Sequence, residues 1–479
     1  MSIRKFWAIS VFLCAFSFAI HVVYIPLTPT DWDEYVYESA AKGTAETGFP
    51  SLEVNPGEEP VPFFYQPFFH FVLMAVTGSL TIESARYLSA VISAIAVAAM
   101  IFATLSITRS KRTALLSGLI LTFDGWFLYT SGLVKLDTAA LMIGLFGIGL
   151  FARALRSESL WTTFFAGLLL GLSADYKHIA VFALLAVAIH WICTREKHKT
   201  HGVTLLVGSL CVLLFVEFMA TYIGKPYIVA NVVQLQRALG FRSARGLDAD
   251  IGTILRALGQ TYFVFGGSIL LIVVGVVGSL VDLTKRSIKR TTDVVEEPLY
   301  VPRLASSYLW AAFLMLVLLK MKNPHYVVIL IAAADICVSS LITVLRQRSK
   351  RWRAVADCLL VLMLALNVAT LVVRATYFSG VDAMSEAKIA VEHLPADASI
   401  LSEEPICQMK LSTQTCTKLD LYATLKHTVP PVQYIVLILT TTQKPPAQYD
   451  VQKLIAESTE VASFGDWKNH IVILQTQNS

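Results

Sequence analysis

Two acids and an aromatic crowd together just past the first apolar stretch, in the run Asp31-Trp32-Asp33-Glu34-Tyr35. A carboxylate at the boundary between lipid and water can take a proton from a hydroxyl or an amine, as a general base does. The same residues also suit the start of a helix. Thr30 or Asp31 would then be the cap, with Asp33 and Glu34 in the first turn, where the helix dipole favours acids. A second constellation is basic: Lys135, Lys177, Arg237, Arg242 and Arg245. Cations at a membrane surface can hold a phosphate group and stabilise it as it leaves. Lys177 ends an apolar run, and a charge there is either functional or snorkels to the interface. The three arginines suit phosphate binding or the solvated face of an amphipathic helix. His325 can meet a phosphate or cap the span it opens. Asp124 lies inside an apolar run, where it can contact substrate or pair with another helix. His21, His178 and His190 read as packed residues.

The elements that must carry these residues follow from composition. Of 479 residues, 55% are hydrophobic and 15% charged, with a mean hydropathy of +0.62. A soluble globular chain is about 25% charged, so one water-soluble core is excluded and many membrane segments are required. The first apolar run, from Phe6 to about Leu27, is long enough to span and reads as an uncleaved first helix. Residues 28–65 are polar and acidic, and Gln66 to Leu80 reads as a short interfacial or re-entrant helix. Further apolar runs lie near 85–107, 114–131, 138–155, 160–175, 178–194, 202–223, 262–282, 305–320, 325–345 and 354–374. This gives about eleven spanning helices.

The loops alternate in charge. Short basic clusters fall at Arg109 to Arg112, Arg153 with Arg156, Arg195 with Lys197 and Lys199, Lys285 to Arg290, and Arg346 to Arg353. The other set holds the acidic 28–65 segment, the turns at 131–137 and 321–325, the 224–261 loop and the tail. The positive-inside rule then places the N-terminus in the cytoplasm and the tail outside. Topology accounts for the net charge of +5, and no basic tract with interleaved aromatics points to nucleic acid. Lys135, Lys177 and the three arginines fall on the outer side, against the general trend. The tail, about 380–479, alternates β-type runs at 432–439 and 471–474 with helical stretches near 383–394 and 450–458, which predicts a small α/β domain. Of seven cysteines, five fall in apolar runs. Cys407 and Cys416 sit in the tail, as a disulfide or as two free thiols.

Taken in order, these features resemble the GT-C superfamily of membrane glycosyltransferases, in the branch holding protein O-mannosyltransferases and bacterial aminoarabinose transferases. The resemblance rests on the first-loop acid pair Asp33-Glu34 with Tyr37, on Tyr65-Gln66-Pro67-Phe68 opening the next apolar element, and on the turn Lys135-x-Asp137. A Gly-Leu-rich helix, Gly167-Leu168-x-x-Gly171-Leu172, leads to Lys177, and Asn323-Pro324-His325-Tyr326 opens a late span. The layout covers about residues 1–375. One proline of the family's pair is absent, and Lys135 stands where arginine is commoner.

The resemblance implies an all-α polytopic membrane domain over 1–375, first outer loop 28–83 included, and a small extracytoplasmic α/β domain over 376–479. It implies an enzyme that moves a hexosyl or pentosyl group from a polyprenyl-phosphate donor to a protein, lipid or glycan acceptor, by one inverting displacement. Asp33 would be the general base, with Glu34 orienting it or the substrate. Lys177, Lys135, Asp137, Tyr37, Arg242, Arg245 and His325 would bind donor and phosphate. No cofactor is called for, and a divalent metal is left open. The expected setting is the plasma membrane of a prokaryote. Two other classes compete. A transporter would show paired broken helices in two matching halves. A non-catalytic assembly protein would use the tail as a binding module, but gives no role to Asp33 and Lys177.

Overall fold

The computed structural model describes residues 1–28, 30–52, 61–62, 68–177, 180–193, 199–222, 266–289, 301–318, 327–378, 382–419, 428–439, 449–465 and 470–477. The chain divides into two compact units. Met1–Ile25, Tyr87–Val232 and Asp248–Thr376 build the first, and Pro26–Arg86 joins Tyr377–Ser479 in the second.

The first unit is helical. Each expected apolar run is helical among the described residues: α1 (Ile3–Tyr24), α4 (Ile82–Thr108), α5 (Lys111–Phe123) with α6 (Gly125–Ser131), α7 (Leu136–Ser157), α8 (Leu160–Tyr176), α9 (Val181–Cys193), α10 (Lys199–Tyr222), α11 (Gly266–Lys289), α12 (Arg303–Leu318), α13 (Val327–Gln347) and α14 (Lys350–Phe378). Among the described residues six of these elements are long and apolar enough to cross a membrane: Ile3–Leu27, Ile82–Thr108, Leu136–Ser157, Thr200–Met219, Val327–Gln347 and Lys350–Val373. Most of the others are shorter than the roughly 20 residues a bilayer asks for, at 17 residues for α8 and 16 for α12, and the 24-residue α11 has an apolar part limited to Gly266–Asp282. Leu206, Leu210, Leu214 and Phe218 of α10 are all exposed. They recur every fourth residue, so one stripe of that helix faces outward, as a lipid-facing surface does. The chain is an integral membrane protein.

Two features depart from a plain bundle. The expected single span at 114–131 is two helices. Asp124 ends α5 and caps α6, its Oδ1 accepting from the backbone N–H groups of Trp126 and Phe127 at 3.0 and 2.9 Å. Its Oδ2 accepts from the Ser268 hydroxyl at 2.7 Å, so the buried acid also ties this break to α11. The second feature is close helix approach. A Cβ on Gly167 would stand 2.2 Å from the Leu205 carbonyl oxygen, and one on Gly171 would stand 2.7 Å from that of Ser209. Bare glycine backbone is what lets α8 lie against α10, the small-residue packing common inside membranes.

The second unit joins distant segments of sequence. Its early part holds α2 (Trp32–Thr47), a short antiparallel pair of β1 (Ser51–Leu52) and β2 (Val61–Pro62), and α3 (Phe68–Val76). Its late part holds α15 (Ala383–Glu392), α16 (Glu404–Met409), α17 (Val451–Ala456) and five strands: β3 (Ser399–Ser402), β4 (Thr415–Lys418), β5 (Tyr434–Ile438), β6 (Ser458–Gly465) and β7 (His470–Thr476). The sheet order is β4-β3-β5-β7-β6. Strand β3 runs parallel to both its neighbours, and β7 runs antiparallel to β5 and β6.

Both sheet faces are covered, which explains why the central strands read as continuous apolar runs. On one face Ile400, Val436, Ile438, Ile471 and Ile473 pack with Met384, Ala387 and Val391 of α15, and Tyr35 of α2 belongs to the same cluster. On the other, Leu401, Ile435, Leu437, Val472 and Leu474 pack with Val451 and Leu454 of α17. Cys407 and Cys416 form a disulfide between α16 and β4. The boundary expected at 375/376 thus differs from the observed division, which groups the first loop with the tail. The reason is that Tyr35 completes the tail's core and that Thr30 bonds to Asp382, 352 residues away.

Candidate active site

The acid-bearing turn is built first by local chemistry. Asp31 caps α2, its side chain accepting from the Asp33 backbone N–H at 3.0 Å. The Glu34 carboxylate reaches back to the Asp31 N–H at 2.8 Å, completing a capping box. Tertiary partners then fix the turn from two sides. Arg86 donates to both oxygens of Glu34 and, through Nη1, to the Thr28 carbonyl at 2.8 Å. Asp382 Oδ2 accepts from the Thr30 backbone N–H and hydroxyl at 3.0 and 2.6 Å, and from the Ser385 hydroxyl at 2.7 Å.

Each acid therefore has its own place. Asp31 is the cap. Glu34 is fully buried and paired with Arg86, so its carboxylate organises the turn. Asp33 is half-buried in the first turn of α2, outside both the cap and the ion pair. Tyr35 points into the core, with the Lys388 ammonium 6.0 Å from its ring centroid. Burial, with help from the Asp382, Glu38 and Glu34 carboxylates and against a bond to Ser385, pushes its hydroxyl up to about 12. Tyr37 is buried at 2% exposure and packs on Phe71, ring centroids 5.6 Å apart.

The first unit brings three more of the expected residues to one region. Lys135 occupies the N-cap position of α7, with its side chain buried. Asp137 sits in the first turn of that helix and is 1% exposed. Lys177 caps the C-terminus of α8, and its Nζ lies 3.6 Å from Asp137 Oδ2. Ser173 fixes the two helices in register by donating to the Ala140 carbonyl at 2.7 Å. The other oxygen, Asp137 Oδ1, is buried with no hydrogen-bond partner among the described residues. A buried carboxylate oxygen lacking a donor is costly, and a ligand hydroxyl is one group that would satisfy it. Arg237, Arg242, Arg245 and His325 lie outside the described residues, as does the segment from Tyr65 to Pro67.

Sequence reasoning noted Arg86 only as the opening of a span, with no role in the site, and passed over Asp382. Arg86 carried a signal, since it is a cation opening an apolar span, where a charge calls for a partner. Asp382 carried none, because its role depends on a contact formed across most of the chain.

Several solved structures share this fold. ArnT from Cupriavidus metallidurans in the apo state superimposes with a TM-score of 0.62 at 14% identity, covering 99% of this chain and 98% of that one. The same protein bound to undecaprenyl phosphate gives 0.59 at 13% identity, with 97% of each chain covered. The archaeal oligosaccharyltransferase AglB from Archaeoglobus fulgidus, in complex with an inhibitory peptide and a dolichol-phosphate, gives 0.61 at 12% identity, over 100% of this chain and 75% of that one. These likenesses show that the chain shares the fold of these membrane proteins. Its residues 60–220 match the family model described as dolichyl-phosphate-mannose-protein mannosyltransferase. Among curated proteins, none matches the chain by sequence.

Proposed function

We propose that the chain is a glycosyltransferase that takes a sugar from a polyprenyl-phosphate donor and places it on a protein, lipid or glycan acceptor at the outer face of the membrane. The observation that carries this reading is the match of residues 60–220 to a family named for a lipid-phosphate sugar donor. Asp33 accepts the proton of the acceptor hydroxyl or amine. The freed oxygen or nitrogen attacks the anomeric carbon as the bond to the phosphate oxygen breaks, and configuration inverts. The phosphate leaves with the electron pair and needs little protonation, so the step is written with one carboxylate, unlike a glycosidase, and without a cofactor.

Glu34 and Arg86 hold the turn that presents Asp33. Lys177 meets the phosphate, and a preorganised cation there lowers the barrier to its departure. Asp137 both pairs with Lys177 and offers Oδ1 to a donor hydroxyl. Lys135, Arg242, Arg245 and His325 complete the anion-binding set in this proposal. The tail faces the outside, which agrees with a disulfide that persists in an oxidising compartment. The sugar is a hexosyl or a pentosyl group in this proposal, and a panel of donors decides between them.

The deciding measurement is transfer of labelled sugar from polyprenyl-phosphate donors by purified parent protein and by Asp33→Asn. Transfer by the parent and its loss in the variant, with unchanged thermal unfolding, supports the reading. A parent that moves no sugar from any donor in the panel, yet carries an intact solute across vesicles, would assign the chain to transport.

A further inference from the structure

At the end of the helical unit opposite Lys177, four helices meet around a cavity of about 240 Å³. Its walls carry Arg109, Arg156, Arg303 and His190, with Ser106 and Leu304 between them, and among the described residues none of its lining is a carboxylate. The cations come from four separate elements. Arg109 follows α4 with φ of 58°, in the turn before α5. Arg156 ends α7, His190 lies in the last turn of α9, and Arg303 opens α12.

Several contacts hold these groups in place. Arg156 donates through Nη1 to the Ser106 carbonyl at the end of α4. A guanidinium has five N–H donors in a planar fork, so this bond orients the group and uses one of them. The approach to α12 is pinned by the buried Asp282 carboxylate, which accepts from the Val301 backbone N–H. Just past the α7–α8 turn, Trp161 is 75% exposed. A tryptophan presented outward at a helix end marks the headgroup level of a bilayer. Trp161 follows Arg156 by five residues, so in the proposal that follows this end of the helical unit lies at the headgroup level.

We propose that this cavity binds the phosphate of an anionic lipid headgroup, in the leaflet opposite the transfer site. The argument is chemical. Three arginines gathered with no carboxylate among the described lining residues repel one another, and Arg156 also feels the charges of Arg109 and Arg153. A phosphate with several acceptor oxygens satisfies forked donors from two or three helices at once. Basic pockets between helices at a membrane surface recognise lipid headgroups in this way. Bound there, the headgroup would tie the ends of α4, α7, α9 and α12 together. A free phosphate ion shares the chemistry, and the test separates the two sources.

Purified full-length protein is equilibrated with equimolar phosphatidylglycerol and phosphatidylcholine, and retained lipid is read by native mass spectrometry. The parent is expected to retain phosphatidylglycerol selectively. Arg156→Gln with Arg303→Gln should lower that retention roughly 5–30-fold, a loss of two surface cations. The matching pair of lysine substitutions should keep most of it, which shows that the variants fold. Arg351→Gln, an exposed cation outside the cavity, should change nothing. Inorganic phosphate that stabilises the parent and not the glutamine pair, with no lipid retained, would identify the soluble ion as the occupant. Equal retention in the parent and the glutamine pair, or equal loss in Arg351→Gln, would overturn the proposal.

Discussion

Arg86 holds both carboxylate oxygens of Glu34, with Nε donating to Oε1 at 2.9 Å and Nη2 to Oε2 at 2.6 Å. Both side chains are almost wholly buried. Removing one partner leaves an uncompensated charge, at a cost of about 3–5 kcal/mol. Glu34→Gln and Arg86→Met should each destabilise the protein by that order. The double variant should lose less than the sum of the two, because neither charge is then stranded. Thermal unfolding of the four proteins checks this; additive losses would show that the two residues act separately.

Asp31 and Asp33 stand two residues apart and should separate cap from base. Asparagine caps a helix about as well as aspartate, so Asp31→Asn should keep both stability and sugar transfer. Asp33→Asn should keep stability and lose roughly 10²–10⁴-fold in rate, the span a general base contributes. Rates and unfolding temperatures of both variants are the readout. Equal activity in the two would take Asp33 out of the mechanism.

Lys177 and Asp137 make a pair whose charge and chemistry can be told apart. Lys177→Met should lower transfer and also stability, since Asp137 then loses the cation 3.6 Å from it. Adding Asp137→Asn should recover stability without recovering transfer. Lys177→Arg should keep part of the activity, because a cation still reaches the phosphate. Should the methionine variant match the parent in rate, Lys177 would be reduced to a structural partner.

The Cys407–Cys416 bond closes a short loop between α16 and β4. Such a link contributes about 2–3 kcal/mol, so Cys407→Ser should lower the unfolding temperature of the tail by a matching amount. The same bond reports sidedness. An impermeant reductant followed by an impermeant maleimide should label these thiols in intact cells. Labelling that appears only after the membrane is opened would place the tail on the cytoplasmic side.

The apolar runs were legible because a helix in lipid must satisfy its own backbone, so length and composition nearly determine it. Gly167 and Gly171 read only as part of a Gly-Leu-rich helix, and their close approach to α10 left no local sign. The break at Asp124 was hidden for a different reason. The acid is tolerable inside an apolar run only because Ser268 and two backbone N–H groups meet it, and a serine 144 positions away leaves no local trace. The acid turn was half visible. Its capping box is written in four consecutive residues, whereas the choice of Glu34 as the buried ion and Asp33 as the half-exposed one depends on Arg86. In the tail, β5 and β7 fall on the two apolar runs expected to be strands, while β6, whose side chains are largely exposed, has no such pattern.

The bond between Thr30 and Asp382 has a consequence for how the protein is made. The segment around α2 is among the first parts of the chain to leave the ribosome, and its partner strands and helices are among the last. About 290 residues separate Arg86 from Tyr377, and at ribosomal speeds of roughly 5–20 residues per second that is a delay on the order of 15–60 s. Through that interval Tyr35 has no core to enter and Asp382 does not yet exist. The acid turn can take its final shape only when synthesis is nearly complete, so a chain cut short before the sheet would insert its helices and leave the turn held by its capping box and Arg86 alone. Assembly of this unit thus works as a check on full-length translation, and a chaperone that shields the early segment while it waits would find it in an open form.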